Sequence, residues 1–104
     1  MTVSTHVLDA ALGRPAVGVP VRLESVDGSL IGDGTTDSDG RLRDLAPARL
    51  AAGVYRLVFD TGAYLGPEAF YPEITVCFRI AEPGVHHHVP ILLSPFAYST
   101  YRGS

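Results

Sequence analysis

The 104-residue chain contains no lysine and no tryptophan, a single cysteine and no long hydrophobic run. Without lysine it can neither form a Schiff base nor bind phosphate through the lysine of a phosphate-binding loop. All 8 basic residues are arginines and the formal net charge is −3, so no basic patch predicts binding to nucleic acid or to an anionic membrane. No apolar run approaches the roughly 20 residues needed to span a bilayer. These absences exclude several classes of function and define none.

The single cysteine, Cys77, excludes an internal disulfide and an all-cysteine zinc site. It lies in the apolar segment 74–78, which is typical of a strand, so we expect a buried, unreactive thiol. Residues 1–6 lack the basic and apolar regions of a secretory signal. We therefore expect a reduced, cytoplasmic protein.

Hydrophobic residues recur with a period of two, which is typical of strands. Val19, Val21 and Leu23 alternate with Pro20 and Arg22, for example, and Gly-, Pro- and Asp-containing turns separate such runs. The pattern predicts an all-β sandwich or barrel with seven or eight strands. We expect the strands near 3–10, 18–26, 29–35, 41–45, 53–60, 73–81, 85–93 and 97–102. With no linker or repeat, residues 1–104 should form one domain.

Two stretches could form short helices. Residues 46–53 have a proline near the start and a glycine at the end, the usual order of helix-terminal signals. Residues 61–72 contain Gly62, Gly66 and Pro67, so a helix there should hardly exceed one turn. The fold should therefore contain at most one short helix.

The 4 histidines fall in two places: His6 near the start of the first predicted strand, and His86, His87 and His88 at the start of a later one. Because alternate residues of a strand share a face, His86 and His88 should lie together and His87 should point the other way. Three interpretations are open. The histidines could be solvated, could bind a metal with His6 as the third ligand, or could supply a general base. Spacing alone does not choose among them.

The segment 37–40, Asp-Ser-Asp-Gly, looks like the start of a calcium loop. Its glycine comes too early, however, and the twelfth position of such a loop is Ala48 rather than glutamate. A β-turn leading into a strand explains the segment better, with Arg41 directly after it. The sequence also lacks the Gly-x-Ser-x-Gly nucleophile elbow.

Four segments, in order along the chain, resemble motifs of the transthyretin-like family, in particular of its 5-hydroxyisourate hydrolase branch. They are Ser-Thr-His-Val-Leu-Asp at 4–9 (followed by the related segments 13–16 and 18–21), Thr-Asp-Ser-Asp-Gly-Arg at 36–41, His-His-His-Val-Pro-Ile-Leu-Leu-Ser-Pro at 86–95, and Tyr-Arg-Gly-Ser at 101–104. The tetrapeptide distinguishes the hydrolases from the hormone carrier transthyretin, which also has lysine at the position of His6. His87 departs from the family, which commonly has tyrosine there.

The resemblance implies a sandwich of two antiparallel sheets, assembled as a homotetramer with active sites in clefts at the dimer–dimer interface. It implies hydrolytic opening of 5-hydroxyisourate to 2-oxo-4-hydroxy-4-carboxy-5-ureidoimidazoline, the step after urate oxidation in purine breakdown. No cofactor or metal is expected. The implied catalytic residues are His6, Arg41 and His88, and the implied substrate-binding residues are Tyr101, Arg102, Gly103 and Ser104.

The chemistry of these residue types suits such a reaction. We expect His6 and His88 to position and deprotonate a water molecule, and Arg41 to bind the substrate and stabilise its negative charge. Ser99 and Tyr101 would line the cleft, and the terminal carboxylate of Ser104 would help to close it. The exposed face of the sandwich should be buried against a symmetry mate; its expected members are His6, Leu8, His88, Pro90, Leu92 and Tyr101.

Three alternatives remain. The chain could be a transthyretin-like carrier of a small aromatic ligand without catalysis, a β-sandwich that serves only in interactions, or a zinc-dependent hydrolase using His6, His86 and His88.

Overall fold

The computed structural model describes residues 3–46 and 49–104. Within them, the elements are β1 (Val3–Asp9), β2 (Arg14–Pro15), β3 (Pro20–Ser25), β4 (Leu30–Thr35), β5 (Arg41–Leu42), β6 (Gly53–Phe59), α1 (Thr61–Leu65), β7 (Ile74–Ile80), β8 (His87–His88), β9 (Ile91–Ser94) and β10 (Ala97–Thr100). The predicted all-β class with one short helix is confirmed.

The strands form two sheets of different character. The four-stranded sheet has the order β4-β3-β6-β7 and is antiparallel throughout. The six-stranded sheet has the order β10-β9-β1-β2, and β5 and β8 also pair with β1. β1 pairs in parallel with β8 and β9, and antiparallel with β2 and β5. The second sheet is therefore mixed, whereas the resemblance implied two antiparallel sheets.

The core contains apolar side chains from both sheets. Its largest fully buried members are Phe59, Leu23, Leu57, Ile74, Ile80, Ile91 and Leu93. Each such side chain stabilises the fold by about 1.5–3 kcal/mol through its removal from water. In β1, Val3 and Val7 belong to this core, so the alternate residues Ser4, His6 and Leu8 lie on the outer face of the six-stranded sheet.

Three strand boundaries differ from the sequence prediction. The predicted strand 85–93 is divided into β8 and β9 around Pro90, which has no N–H to donate to a neighbouring strand. The predicted strand 41–45 is reduced to the two residues of β5. Arg14 and Pro15, which lie between the first two predicted strands, pair with β1 as β2.

The only helix in the described ranges, α1, is a single turn, as the glycines and the proline of its segment predicted. Asp60 caps it by accepting a hydrogen bond from the N–H of Ala63, and Gly66 follows it with a φ of 100°. Of the second predicted helical stretch, Pro47 and Ala48 lie outside the described residues, and residues 49–52 are not helical. No helix in the described part of the chain is long and apolar enough to cross a membrane.

The prediction of a buried Cys77 thiol is wrong, because Cys77 is exposed. Along β7, Ile74 and Ile80 are buried, whereas Thr75, Cys77 and Arg79 lie on the opposite, exposed face. The apolar neighbours of Cys77 share its strand but not its face. The period of the strand therefore decides its exposure, against the general tendency of cysteine to be buried.

Candidate active site

The site is built where β1 meets β8. Ser4 pairs with His88 across the parallel ladder, and the N–H of Val89 donates to the carbonyl oxygen of Ser4 at 3.0 Å. On the opposite face of β1, the hydroxyl of Thr5 donates to the carbonyl oxygen of Val89 at 2.6 Å. These bonds fix the register and hold Ser4 beside His88 on the outer face.

The hydroxyl of Ser4 bridges two imidazole rings. Its Oγ lies 2.8 Å from Nε2 of His86 and 2.7 Å from Nδ1 of His88. Ser4 is buried, His88 half-buried and His86 exposed. His87 is buried on the other side, and its Nδ1–H donates to the carbonyl oxygen of Val85 at 2.8 Å. The predicted shared face of His86 and His88 is confirmed.

Arg41 leaves a turn organised by Asp37. The Oδ1 of Asp37 accepts the N–H of Asp39 at 2.8 Å and the N–H of Arg41 at 3.0 Å. These two bonds, that of Arg41 first, lower the pKa of the Asp37 carboxyl. The N–H of Gly40 also donates to the carbonyl oxygen of Asp37. The segment is therefore a β-turn, as predicted, and not a calcium loop.

Gly40 is required in this turn for two reasons. Its φ of 75° lies in the left-handed region, and a Cβ at this position would lie 2.4 Å from the carbonyl oxygen of Val7. The close approach brings β5 against β1, where Arg41 pairs with His6. The Nε2–H of His6 donates to the carbonyl oxygen of Asp39 at 2.8 Å. The turn thus fixes both the strand of Arg41 and the ring of His6.

Two clefts meet at His88. The first, which we call the Arg41 cleft, has a volume of about 250 Å³ and is lined by residues including Arg41, Arg43, Ser4, His86, His88 and Ser104. The second, the tail cleft, has a volume of about 230 Å³; His88 lines it together with Arg79, Thr100, Tyr101 and Arg102.

The tail of the chain is held against His88 by Gly103. The N–H of Gly103 donates to the carbonyl oxygen of His88 at 2.8 Å, and the two residues form an isolated β-bridge. A Cβ at position 103 would lie 2.4 Å from Cδ2 of the His88 ring. Only glycine therefore allows the backbone to approach the ring this closely, which gives the Tyr-Arg-Gly-Ser motif a physical reason for its third residue.

The surroundings of His88 lower the pKa of its imidazole. Burial is the largest cause, and repulsion by Arg41, and by His86 and His6 when they are protonated, adds to it, so that the pKa of His88 lies below its ordinary value. A histidine with such a pKa is unprotonated at neutral pH. It can therefore accept a proton from a water molecule in the cleft.

The sequence-predicted site residues are divided between the two clefts. Arg41, His88 and Ser104 line the Arg41 cleft, and Tyr101 and Arg102 line the tail cleft. Gly103 packs on the His88 ring. His6 does not line either cleft; it lies beside Arg41 in the sheet and acts on His88 through its charge. Ser99 lines neither cleft, contrary to expectation.

Sequence reasoning missed Ser4. Its signal was present, because Ser4 is two residues from His6 and so had to share its face of β1. The missing information was the parallel partner strand, whose register places Ser4 opposite His88. Within residues 3–46 and 49–104, no group of three or more His, Cys, Asp or Glu side chains is arranged to hold a metal ion.

The fold is a two-sheet β-sandwich of the transthyretin-like class, with a cleft that contains histidines and an arginine on the outer face of one sheet. A family model described as the HIUase/Transthyretin family matches residues 3–103. The chain therefore belongs to this family.

Individual relatives agree with the family model. The 5-hydroxyisourate hydrolase of Salmonella dublin is 46% identical over 108 residues, covering 97% of this chain and 79% of the relative. The structure of Klebsiella pneumoniae 5-hydroxyisourate hydrolase superposes with a TM-score of 0.89 at 39% identity and full coverage of both chains. Sea bream transthyretin in complex with thyroxine also superposes, with a TM-score of 0.86 at 34% identity over 99% of this chain and 95% of that chain.

Proposed function

We propose that this protein hydrolyses 5-hydroxyisourate, opening its six-membered ring to give 2-oxo-4-hydroxy-4-carboxy-5-ureidoimidazoline. The single observation that carries the proposal is a half-buried His88, with a pKa lowered first by burial, in a cleft that also contains Arg41. The similarity to named 5-hydroxyisourate hydrolases supports the same activity. The cytoplasmic location inferred from the sequence stays a prediction.

His88 is the base in this proposal. Its Nδ1 is bonded to Ser4, so Nε2 is the ring nitrogen left to accept a proton from water. The water attacks an acyl carbon of the ring, the carbon–nitrogen bond breaks, and the proton on His88 can return to the leaving nitrogen. A base with a pKa near the working pH contributes about 10²–10⁴-fold to the rate of such a step.

His6 has a different role in this proposal, because it lines neither cleft. Its Nε2–H donates to the carbonyl oxygen of Asp39, which leaves only Nδ1 with a lone pair. His6 instead fixes the turn that leads to Arg41 and contributes to the field around His88. Of the two histidines expected to act on the water, we therefore assign the base function to His88.

Arg41 binds the substrate and stabilises the charge that develops on it. A guanidinium carries five N–H donors in a plane, which matches the flat, oxygen-rich ring of 5-hydroxyisourate. Its charge lies close enough to His88 to lower that residue's pKa. The same proximity lets it act on an oxyanion formed beside His88.

The tail completes the site on the other side of His88. Gly103 places the backbone on the His88 ring, and Tyr101, Arg102 and Ser104 reach the two clefts around it. We assign substrate positioning to these four residues.

The assay must separate a hydrolase from a carrier, because the likeness to a thyroxine-bound transthyretin favours the carrier as the second candidate. 5-Hydroxyisourate is generated from urate with urate oxidase, and its ultraviolet absorbance is followed with and without the protein. We expect the decay to accelerate in proportion to protein concentration. Decay at the spontaneous rate, together with binding of thyroxine, would favour the carrier.

A chelator arm tests the zinc-dependent alternative. The assay is repeated after dialysis against EDTA, with and without added zinc. We expect the same rate in both samples, since His88 and Arg41 supply the base and the charge. Loss of activity that zinc restores would favour a site of His6, His86 and His88.

The assembly is proposed to be a homotetramer with the clefts at the interface between dimers. Large hydrophobic side chains are exposed around the C-terminal strands; Phe96 is 76% exposed and Tyr101 56%. A partner that covers such a surface also closes an open cleft. Sedimentation velocity at micromolar concentration should give one species of about four chains, and a stable monomer would contradict the assembly.

A further inference from the structure

The bridge between His86, Ser4 and His88 constrains where protons can lie. A serine hydroxyl has one proton to donate and two lone pairs that accept. In the described part of the chain, the two histidine nitrogens are the only hydrogen-bond partners of Ser4 Oγ. When both rings are neutral, the hydroxyl therefore donates to one ring and accepts from the other, and the tautomers of the two histidines are coupled.

Only one of the two arrangements makes His88 a base. If Ser4 donates to Nδ1 of His88, the ring proton is on Nε2, and no lone pair faces the substrate. If instead Nδ1–H of His88 donates to Ser4, the Nε2 of His88 has its lone pair free, and Ser4 must donate to Nε2 of His86. The second arrangement also matches the product of proton transfer, because the imidazolium keeps its Nδ1–H bonded to Ser4.

We propose that Ser4 and His86 are positioning residues that hold His88 in the Nδ1–H tautomer, with the lone pair of Nε2 directed to the substrate. The proposal rests on the proposed function for the role of His88 as base. Ser4 orients the ring from a buried position fixed by the β1–β8 register. His86 acts through Ser4 by accepting its hydroxyl proton, and for this it must be neutral.

The proposal predicts that an acceptor at position 86 is needed, not a histidine as such. In His86→Gln, the side-chain oxygen lies near the place of Nε2 and can accept the Ser4 proton. In His86→Leu, a side chain of similar size offers no acceptor. The pair therefore separates hydrogen bonding from packing, and Ser4→Ala removes the bridge altogether. Ser94→Ala, which removes a hydroxyl bonded to the carbonyl oxygen of Ala97, is the matched control.

The direct test is the tautomer of His88, read by two-bond ¹⁵N–¹H correlation spectra of the histidine-labelled protein at neutral pH. With only 4 histidines, His88→Gln assigns the signal. We expect the Nδ1–H pattern in the native protein and in His86→Gln. Ser4→Ala and His86→Leu should shift the signal toward the Nε2–H pattern. An Nε2–H pattern in the native protein would overturn the proposal.

Kinetics supply the second readout. A displacement of about 1 Å in a catalytic group can cost about 10²-fold in rate, so we expect kcat to fall by about 10–100-fold in Ser4→Ala and His86→Leu while KM stays nearly constant. His86→Gln should recover most of kcat. Unchanged kcat in Ser4→Ala, or equal loss in both His86 variants, would refute the positioning role.

The pH profile adds a third readout. The charged and titratable groups around His88 lie on several elements. They are His6 on β1, Arg41 and Arg43 beside the turn, Arg79 on β7, His86 and His87 next to His88, and Tyr101, Arg102 and the terminal carboxylate of Ser104 on the tail. Ser4→Ala leaves all of them in place, together with the Ser4 backbone, whose hydrogen bond raises the pKa of His88. It removes the hydroxyl acceptor of the Nδ1–H bond, so the acid limb of kcat/KM should move to lower pH. An unmoved limb would count against the bridge. If the native protein fails to hydrolyse 5-hydroxyisourate, the proposed function fails, whereas the tautomer spectra still decide the bridge.

Discussion

The two sheets of this protein differ in regularity: the four-stranded sheet is regular and the six-stranded sheet irregular. The regular sheet supplies much of the core, whereas the irregular sheet carries the proposed catalytic residues. The four-stranded sheet has long antiparallel ladders, such as the seven paired positions between β6 and β7. In the six-stranded sheet, β1 pairs with four short strands in both directions. Every proposed catalytic side chain belongs to the irregular sheet. Short strands end in turns and bridges, and these bring side chains from distant segments to one place.

The largest expected effect is a loss of catalytic rate, caused by substitutions in the irregular sheet. We expect His88→Ala and His6→Ala to lower kcat/KM by about 10²–10⁴-fold, because one removes the base and the other the support of the Arg41 turn. The midpoint of thermal unfolding should change by less than about 4 °C, since neither ring is in the core. Ser94→Ala, at a residue that lines neither cleft, is the control and should keep nearly the native rate. Near-native turnover in both alanine variants would contradict the assignment of the catalytic residues to the irregular sheet.

In the regular sheet, a substitution should lower stability and leave the rate unchanged. Leu57→Ala on β6 removes a fully buried side chain and should lower the free energy of unfolding by about 2–5 kcal/mol in urea denaturation. The kcat of the folded fraction should stay native, because β6 contributes no side chain to either cleft. Thr75→Ala on the exposed face of β7 should cost less than about 1 kcal/mol. If Leu57→Ala lowered kcat as much as His88→Ala does, the four-stranded sheet would contribute to catalysis as well as to stability.

A smaller loss of rate is expected from a substitution in the tail, at Gly103. Gly103→Ala places a methyl group against the His88 ring and should lower kcat roughly 10-fold by moving the ring or the tail. The double-mutant cycle is the control. In a His88→Ala background the ring is gone, so Gly103→Ala should cost nothing further. Equal losses in the two backgrounds would show that Gly103 acts on something other than His88.

The smallest effect is the pH dependence. The base must be neutral, so kcat/KM should be full above the pKa of His88 and fall as the pH drops through it. Because burial and the charges of Arg41, His86 and His6 lower this pKa, the midpoint should lie below that of an ordinary histidine. Stopped-flow rates across pH 4.5–8, about the range in which histidine titrates, test this. A midpoint above the ordinary value would mean that the environment of His88 favours the charged form.

The regular sheet could be predicted almost completely from the sequence. Val21, Leu23, Leu57, Ile74 and Ile80 follow the period of two and occupy the core. The same period places Cys77 on the exposed face of β7. Its exposure was predicted wrongly because the general tendency of cysteine to be buried was given more weight than its position in the strand. Period and turn chemistry are local, so a sequence displays them directly.

The candidate site was predicted only in part. The histidines, Arg41 and the tail were found by resemblance, and the face shared by His86 and His88 followed from the strand period. Ser4 could not be placed, since its role depends on a parallel register with residues more than 80 positions away. The hydrogen bond from Nε2–H of His6 to the carbonyl oxygen of Asp39 could not be predicted either, because backbone acceptors have no signature in the sequence.

The parallel ladder between β1 and β8 has a consequence for how the protein folds. Ser4 and His88 are 84 positions apart, so the chain must close a long loop before the ladder can form. The entropy lost in that closure is not offset until the late strands arrive, and such distant pairing slows folding. During synthesis, β1 emerges first and has to wait for the last quarter of the chain. Catalytic competence is therefore expected to appear only at the final step of folding.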